Sequence, residues 1–182
     1  MSRLIGPALV FVAMVLIGHF ATLHMVPGVI MEKTMARMEE SGIRPHQFTL
    51  APRTTPQTQT VVRPSPDLAY SICQFDLSGD QSVRVRAGLY ADYSSVSFFD
   101  ARTNNFATVR VGAGDHPASG SEILLRASGS AKFESDSFAG PQFEAPTRRG
   151  LILIRRLAPT EAAYNEVISV SSSDSCALVS RS

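Results

Sequence analysis

AYSICQFDL, residues Ala69–Leu77, places Ala69, Ser71, Cys73, Phe75 and Leu77 on one side of an extended chain. A period of two is the signature of a half-buried strand, since successive side chains leave a strand on opposite faces. Working outward, Ser82–Arg86 (SVRVR) alternates in the same way, and Ser94–Phe99 and Phe106–Val111 come next with Asp100–Asn105 between them as turn residues. Glu122–Ala127, Leu151–Arg156 and Ile168–Val170 are further strand candidates, joined by Gly-, Ser- and Pro-rich connections such as Gly112–Gly120 and Gly129–Ser130. Pro159–Val167 reads as a single helix with Thr160 as its N-cap. The expected fold is mainly β, an antiparallel β-sandwich or jelly-roll-like domain.

Toward the N-terminus the pattern changes twice. Pro45–Pro66 is rich in Thr, Gln and Pro and reads as an extended linker or strap, with a strand at Thr60–Arg63 at most. Before it, Val29–Ser41 sets Met31, Met35 and Met38 at i, i+4 and i+7 and stops at Gly42, the pattern of a short amphipathic helix. Such a Met stripe suits a helix lying on its own domain or on lipid, or a docking face. From Arg3 to Glu32 there is no Asp, Glu, Lys or Arg, and Leu4–Phe20 is almost continuously apolar. A bilayer core of ~30 Å needs roughly 20 such residues, so Leu4–Met25 is expected to cross a membrane as one transmembrane helix. Its length, and the lack of an Ala-x-Ala-like site after Phe20, favour an uncleaved signal-anchor over a signal peptide. The division is then 1–28 anchor, 29–44 amphipathic helix, 45–66 linker and 67–182 β-rich domain.

Charge sets limits on partners. Seventeen Lys and Arg against sixteen Asp and Glu in 182 residues give a net charge of +1 with no long run of either sign, so nucleic acid is not an expected partner. Arg3 and the amino terminus flank one end of the apolar helix, and Lys33, Arg37 and Arg44 flank the other. That count by itself disfavours a cytoplasmic N-terminus. A leading helix of this kind nevertheless usually exports the domain behind it, because long domains cross largely regardless of charge. The expected location is a bacterial inner membrane, single-pass, with the C-terminal domain in the periplasm. Cys73 and Cys176 are either one disulfide of an oxidising compartment or two buried thiols.

Motifs add little. There is no G-x-S-x-G, P-loop, H-E-x-x-H or C-x-x-C, and Gly112-Ala113-Gly114 lacks the third Gly and the helix of a dinucleotide site. His19, His24, His46 and His116 have no metal-ligand spacing, so neither a metal nor a cofactor is expected. His19 lies within the apolar helix, where an ionisable group is a functional candidate. Polar groups gather around the first strand, as Arg63, Asp67, Tyr70 and Asp76, and in one loop, as Asp100, Arg102, Asn104 and Asn105. They would suit the rim of a pocket, or equally turns and a structural ion pair.

VVRPSPDLAYSICQFDLSG (Val61–Gly79), YADYSSVSFFDARTNNFATVRVG (Tyr90–Gly112) and LILIRRL (Leu151–Leu157) together resemble the domain of unknown function 1254 family of bacterial proteins. The likeness runs from Val61 to Val167. It implies that Arg63, Asp67, Tyr70, Asp76, Tyr93, Asp100, Asn104, Asn105, Phe106 and Arg155 occupy family positions. Ser65 and Leu68 depart from the family's usual Asn and Thr. Longer relatives carry a second domain, of unknown function 1214, before which this chain stops; the resemblance therefore implies a hetero-oligomer with a separate protein bearing that domain. Two functions are then in view: a non-catalytic subunit or binding module of the cell envelope, or a small-molecule binding or hydrolytic site built from Arg63, Asp67, Tyr70, Asp76, Asp100, Asn104, Asn105 and Arg155.

Overall fold

A computed structural model describes residues 4–55, 64–78, 81–112, 122–129 and 138–179. The chain opens with α1 (Ile5–Glu40) and continues through β1 (Thr49–Leu50), β2 (Leu68–Asp76), β3 (Ser82–Arg86), β4 (Ser94–Asp100) and β5 (Asn105–Arg110). It ends with β6 (Glu122–Ala127), β7 (Gln142–Ala145), β8 (Arg149–Leu157), α2 (Glu161–Ser171) and β9 (Ser175–Val179). The strands form two sheets, one in the order β1-β2-β8-β4-β5 and one in the order β7-β6-β3-β9. The protein is thus mainly β, a two-sheet sandwich behind a long apolar helix.

Alternation builds the core. Cys73 and Phe75 of β2, Val96 and Phe98 of β4, and Ile152 and Ile154 of β8 turn inward from the larger sheet. Val83 and Val85 of β3 and Ile123 and Leu125 of β6 meet them from the smaller one. Cys73 and Cys176 form a disulfide that joins β2 to β9, and hence sheet to sheet, across 103 residues of chain with their Cα atoms 6.7 Å apart. At one end of the sandwich Arg156 of β8, 1% exposed, makes a bidentate pair with Asp174, which leads into β9: Nη1 donates to Oδ2 at 2.9 Å and Nη2 to Oδ1 at 2.6 Å. The Gly88 amide donates to the same Asp174 Oδ1 at 2.8 Å, and the Gly88 carbonyl accepts from Arg156 Nη2 at 3.3 Å.

Two expectations are corrected and two are refined. The anchor and the amphipathic helix are one helix, which continues through Pro27. Nothing between Met25 and Met31 ends it, and its Met stripe docks on the domain: Met31 and Met35 are buried, and Gln74 Nε2 donates to the Met35 carbonyl at 3.2 Å. It stops where Gly42 takes φ of 84° and the amides of Gly42 and Ile43 reach back to the carbonyls of Glu39 and Met38, a Schellman ending. Ile168–Val170 is helical rather than extended, because Ala163, Tyr164, Val167 and Val170 share the buried face of α2. The sheets are not wholly antiparallel, since β7 runs parallel to β6 after a long return. The linker contributes β1, which pairs with β2 through Thr49↔Ile72 and Leu50↔Ser71. The expected strand at Thr60–Arg63 lies outside the described residues.

The Asp174→Ala protein should lose about 3–5 kcal/mol of stability in denaturant titrations, since it strands a buried guanidinium. Replacing both partners with apolar residues should cost less. Reducing the disulfide should remove up to ~4–5 kcal/mol in the chain-entropy account, read as a lower denaturation midpoint with reductant than without.

Candidate functional site

Strand register decides which candidates meet. On the outer face of the larger sheet, rungs run Tyr70↔Arg155↔Ser95↔Arg110, then Ile72↔Leu153↔Ser97↔Thr108, then Gln74↔Leu151↔Phe99↔Asn105, then Asp76↔Arg149. Tyr70 and Arg155 are therefore direct cross-strand neighbours. Asp76 lies six residues along β2 from Tyr70, roughly 20 Å at strand rise. The seven described candidates do not converge on one pocket: two groups occupy opposite ends of the sheet, and Arg63 lies outside the described residues.

At the Tyr70 end the side chains interlock. Arg155, half-buried, donates from Nη2 to Ser97 Oγ at 2.8 Å, and Ser97 Oγ is 3.0 Å from Thr108 Oγ1. Its Nε is buried with no hydrogen-bond partner among the described residues. The Tyr93 hydroxyl donates to Ser95 Oγ at 3.0 Å, and the Arg110 guanidinium lies 5.3 Å from the centre of the Tyr93 ring. The Tyr70 hydroxyl accepts from the Ser65 amide at 3.0 Å, which ties the entering chain to this rung. Asp67 is exposed and contributes its carbonyl, which accepts from the Ala158 amide at 2.7 Å.

At the other end the carboxylates are engaged in local structure. Asp100, 5% exposed, accepts from the amides of Arg102 and Asn104 at 2.8 and 2.9 Å and from Asn104 Nδ2 at 2.9 Å. It organises the β4–β5 hairpin, in which Thr103 takes φ of 66°. Asn105 donates from Nδ2 to Thr108 Oγ1 at 3.1 Å. Asp76 accepts from the amide and hydroxyl of Ser78 and lies 3.6 Å from Arg149 Nε, while Arg149 Nη2 reaches Glu39 of α1 at 3.0 Å. Burial works to raise the Asp76 carboxyl, but the Ser78 hydrogen bonds and the charges of Arg149 and His46 outweigh it and hold it below its ordinary value. Burial lowers His46 from its ordinary 6.5, against the pull of the Asp76 charge. Among the described residues no three His, Cys, Asp or Glu side chains gather as metal ligands would.

Sequence reasoning did not single out Ser95, Ser97, Thr108, Arg110 and Arg149, nor the buried Arg156 and Asp174. Strand parity was the available signal. In the Arg155-Arg156 doublet one side chain must enter the core, and a buried arginine requires an acid.

A two-sheet β-domain behind a single apolar helix, with an Arg- and Tyr-bearing outer sheet face, defines the class. The crystal structure of the VPA0106 protein from Vibrio parahaemolyticus has the same fold, with a TM-score of 0.61 at 9% identity over 86% of this chain and 39% of that one. An uncharacterized protein from Burkholderia cenocepacia aligns less well, with a TM-score of 0.41 at 14% identity over 75% of this chain and 34% of that one. The chain thus spans well under half the length of either solved protein. No curated protein matches it. Residues 45–175 match the family described as "Protein of unknown function (DUF1254)", and the chain belongs to that family.

Both lowered groups act in the same direction on pH. A depressed histidine makes folding weaker as pH falls below the unfolded value of 6.5, and a depressed aspartate does so as pH falls below 3.8. Stability should therefore fall in two acid steps. The His46→Gln protein should lack the upper step and Asp76→Asn the lower one, in melts taken across pH.

Proposed function

We propose that this is a membrane-tethered, non-catalytic binding module of the bacterial envelope. In this reading α1 anchors it as a single pass in the inner membrane, and the sandwich stands in the periplasm. It pairs through the outer face of the larger sheet with a separate protein carrying a domain of unknown function 1214. The observation that carries the reading is the rung Tyr70–Arg155–Ser95–Arg110, with Tyr93 beside it. Arginine and tyrosine are the side chains that most often dominate protein interfaces, and here Arg155, Arg110, Tyr70 and Tyr93 stand together on one sheet face. The Cys73–Cys176 disulfide supports an oxidising compartment. The length and full exposure of the apolar half of α1 support the anchor.

A second reading has a small anionic molecule on the same rung, because arginines on a sheet face would bind a carboxylate as readily as a peptide carbonyl. Hydrolysis at Asp76 or Asp100 has less support, since each carboxylate is held by hydrogen bonds from its own turn.

The test is to tag the full-length protein at its C-terminus, extract it from native membranes in mild detergent and identify the proteins that co-purify at near-equal amount. A protein with a domain of unknown function 1214 is expected, and Arg155→Gln should reduce its recovery about thirtyfold, as loss of an interface hot spot would. Recovery of the protein alone would end the pairing model. Melting-temperature shifts with small carboxylates, abolished by Arg155→Gln, would then establish the second reading.

A further inference from the structure

Two loops at the Asp100 end of the sandwich meet α1 just beyond its apolar half. A methyl group placed on Gly28 would lie 4.0 Å from the Ala101 carbonyl oxygen, so the β4–β5 hairpin touches the helix there. Thr147, in the turn before β8, accepts from the Ala101 amide at 2.9 Å and donates to the Arg149 carbonyl at 2.7 Å, which staples the second loop to the first. Between the helix and these loops lies a cleft of about 480 Å³. Met25 and Val29 line it toward the apolar end, and His24, Arg102, Thr147 and Arg149 supply its polar part.

Depth along the helix says what this foot faces. A span from Leu4 to Met25 fills the hydrocarbon core, and Gly28 is three residues further, about 4–5 Å along the axis. The headgroup layer is roughly 5–7 Å thick on each side. The hairpin beside Gly28, and the turn stapled to it through Thr147, therefore sit at the level of the lipid phosphates. Their charge suits that position. Arg102 and Arg148 are exposed and make no ion pair among the described residues, whereas Arg149 is held by Glu39 and Asp76. Among the described residues Glu32 is the one carboxylate lining the cleft.

We propose that the β4–β5 hairpin and the turn before β8 form a foot that binds the phosphate headgroup of anionic phospholipid, with Arg102 and Arg148 as the phosphate-binding cations and Met25 and Val29 against the upper acyl chain. The inference rests on the reading of α1 as a membrane anchor. It fixes the tilt of the sandwich on the bilayer as well as its attachment.

The experiment uses the full-length protein reconstituted into nanodiscs of phosphatidylcholine alone or with about one-third phosphatidylglycerol. The anionic discs should raise the melting temperature of the sandwich by a few degrees. Arg102→Gln/Arg148→Gln should remove the rise, each arginine being worth about fivefold in headgroup affinity. A fluorophore on Thr103→Cys, with both arginines intact, should be quenched by a headgroup-attached quencher and so reports contact independently of how the double variant folds. Protein retained in the discs with equal melting temperatures and no quenching overturns the foot and leaves the anchor standing. Protein released by alkaline carbonate, or lacking its first segment when isolated from cells, overturns the anchor and the foot together.

Discussion

The buried pair of Arg156 and Asp174 fixes the sandwich at the point where most of its elements meet. Arg156 projects inward from β8, which has β2 on one side and β4 on the other. Asp174 closes the turn between α2 and β9, and Gly88 lies just after β3. No side chain is admissible at Gly88, since an added methyl would collide with Ser173 Oγ and lie 2.5 Å from the Val170 carbonyl oxygen. Tyr90 closes the same region by donating to the Leu157 carbonyl at 2.6 Å, and its burial raises its phenol above the ordinary value. A buried ion pair adds little net stability over apolar packing, but it penalises any register in which one charge lacks the other. A slip of one residue in β8 would turn Arg156 outward and carry Arg155 into the core.

That parity links fold to site. Because Arg156 must face Asp174, Arg155 must face out, opposite Tyr70 and Ser95. The residues of the outer rung are therefore positioned by the same constraint that closes the sandwich. Mutations at the buried pair would be felt at the Tyr70–Arg155 rung through strand register rather than through contact.

Much of the sandwich was legible as alternation. β2, β3, β4, β6 and β8 bury one face against a core, and a period of two records that directly in composition. β1, β7 and β9 are short, and each is a strand by virtue of the neighbour it pairs with, which composition does not encode. Ile168–Val170 looked extended because β-branched residues favour strands; burial at positions 163, 164, 167 and 170 overrode that propensity. The site was less legible. Asp67, Tyr70, Asp76 and Asp100 are close in sequence, or alike in chemistry, but β2 carries Asp76 away from Tyr70 along its length, and Asp100 is drawn into its own hairpin. Arg156 and Asp174 are separated by all of α2, so their meeting is a property of the topology.

The docking of α1 divides the outer face. Gln74 shares a rung with Leu151 and Phe99, and its bond to the Met35 carbonyl places the second half of the helix over that rung, with Met31 and Met35 buried. Without the helix, Leu151 and Phe99 beside Gln74 would stand open as apolar side chains on that face, the kind of surface that favours association. The helix thus takes up the Gln74 rung. The Tyr70–Arg155 rung lies two rungs beyond it, about 13 Å at strand rise, outside the helix footprint. Because α1 runs unbroken from its apolar half onto the domain, its orientation is coupled to that of the sheet. In the proposed anchoring, the rung that remains open is thus held at a set height and direction above the membrane, as a tethered recognition face requires and a flexible linker would not supply.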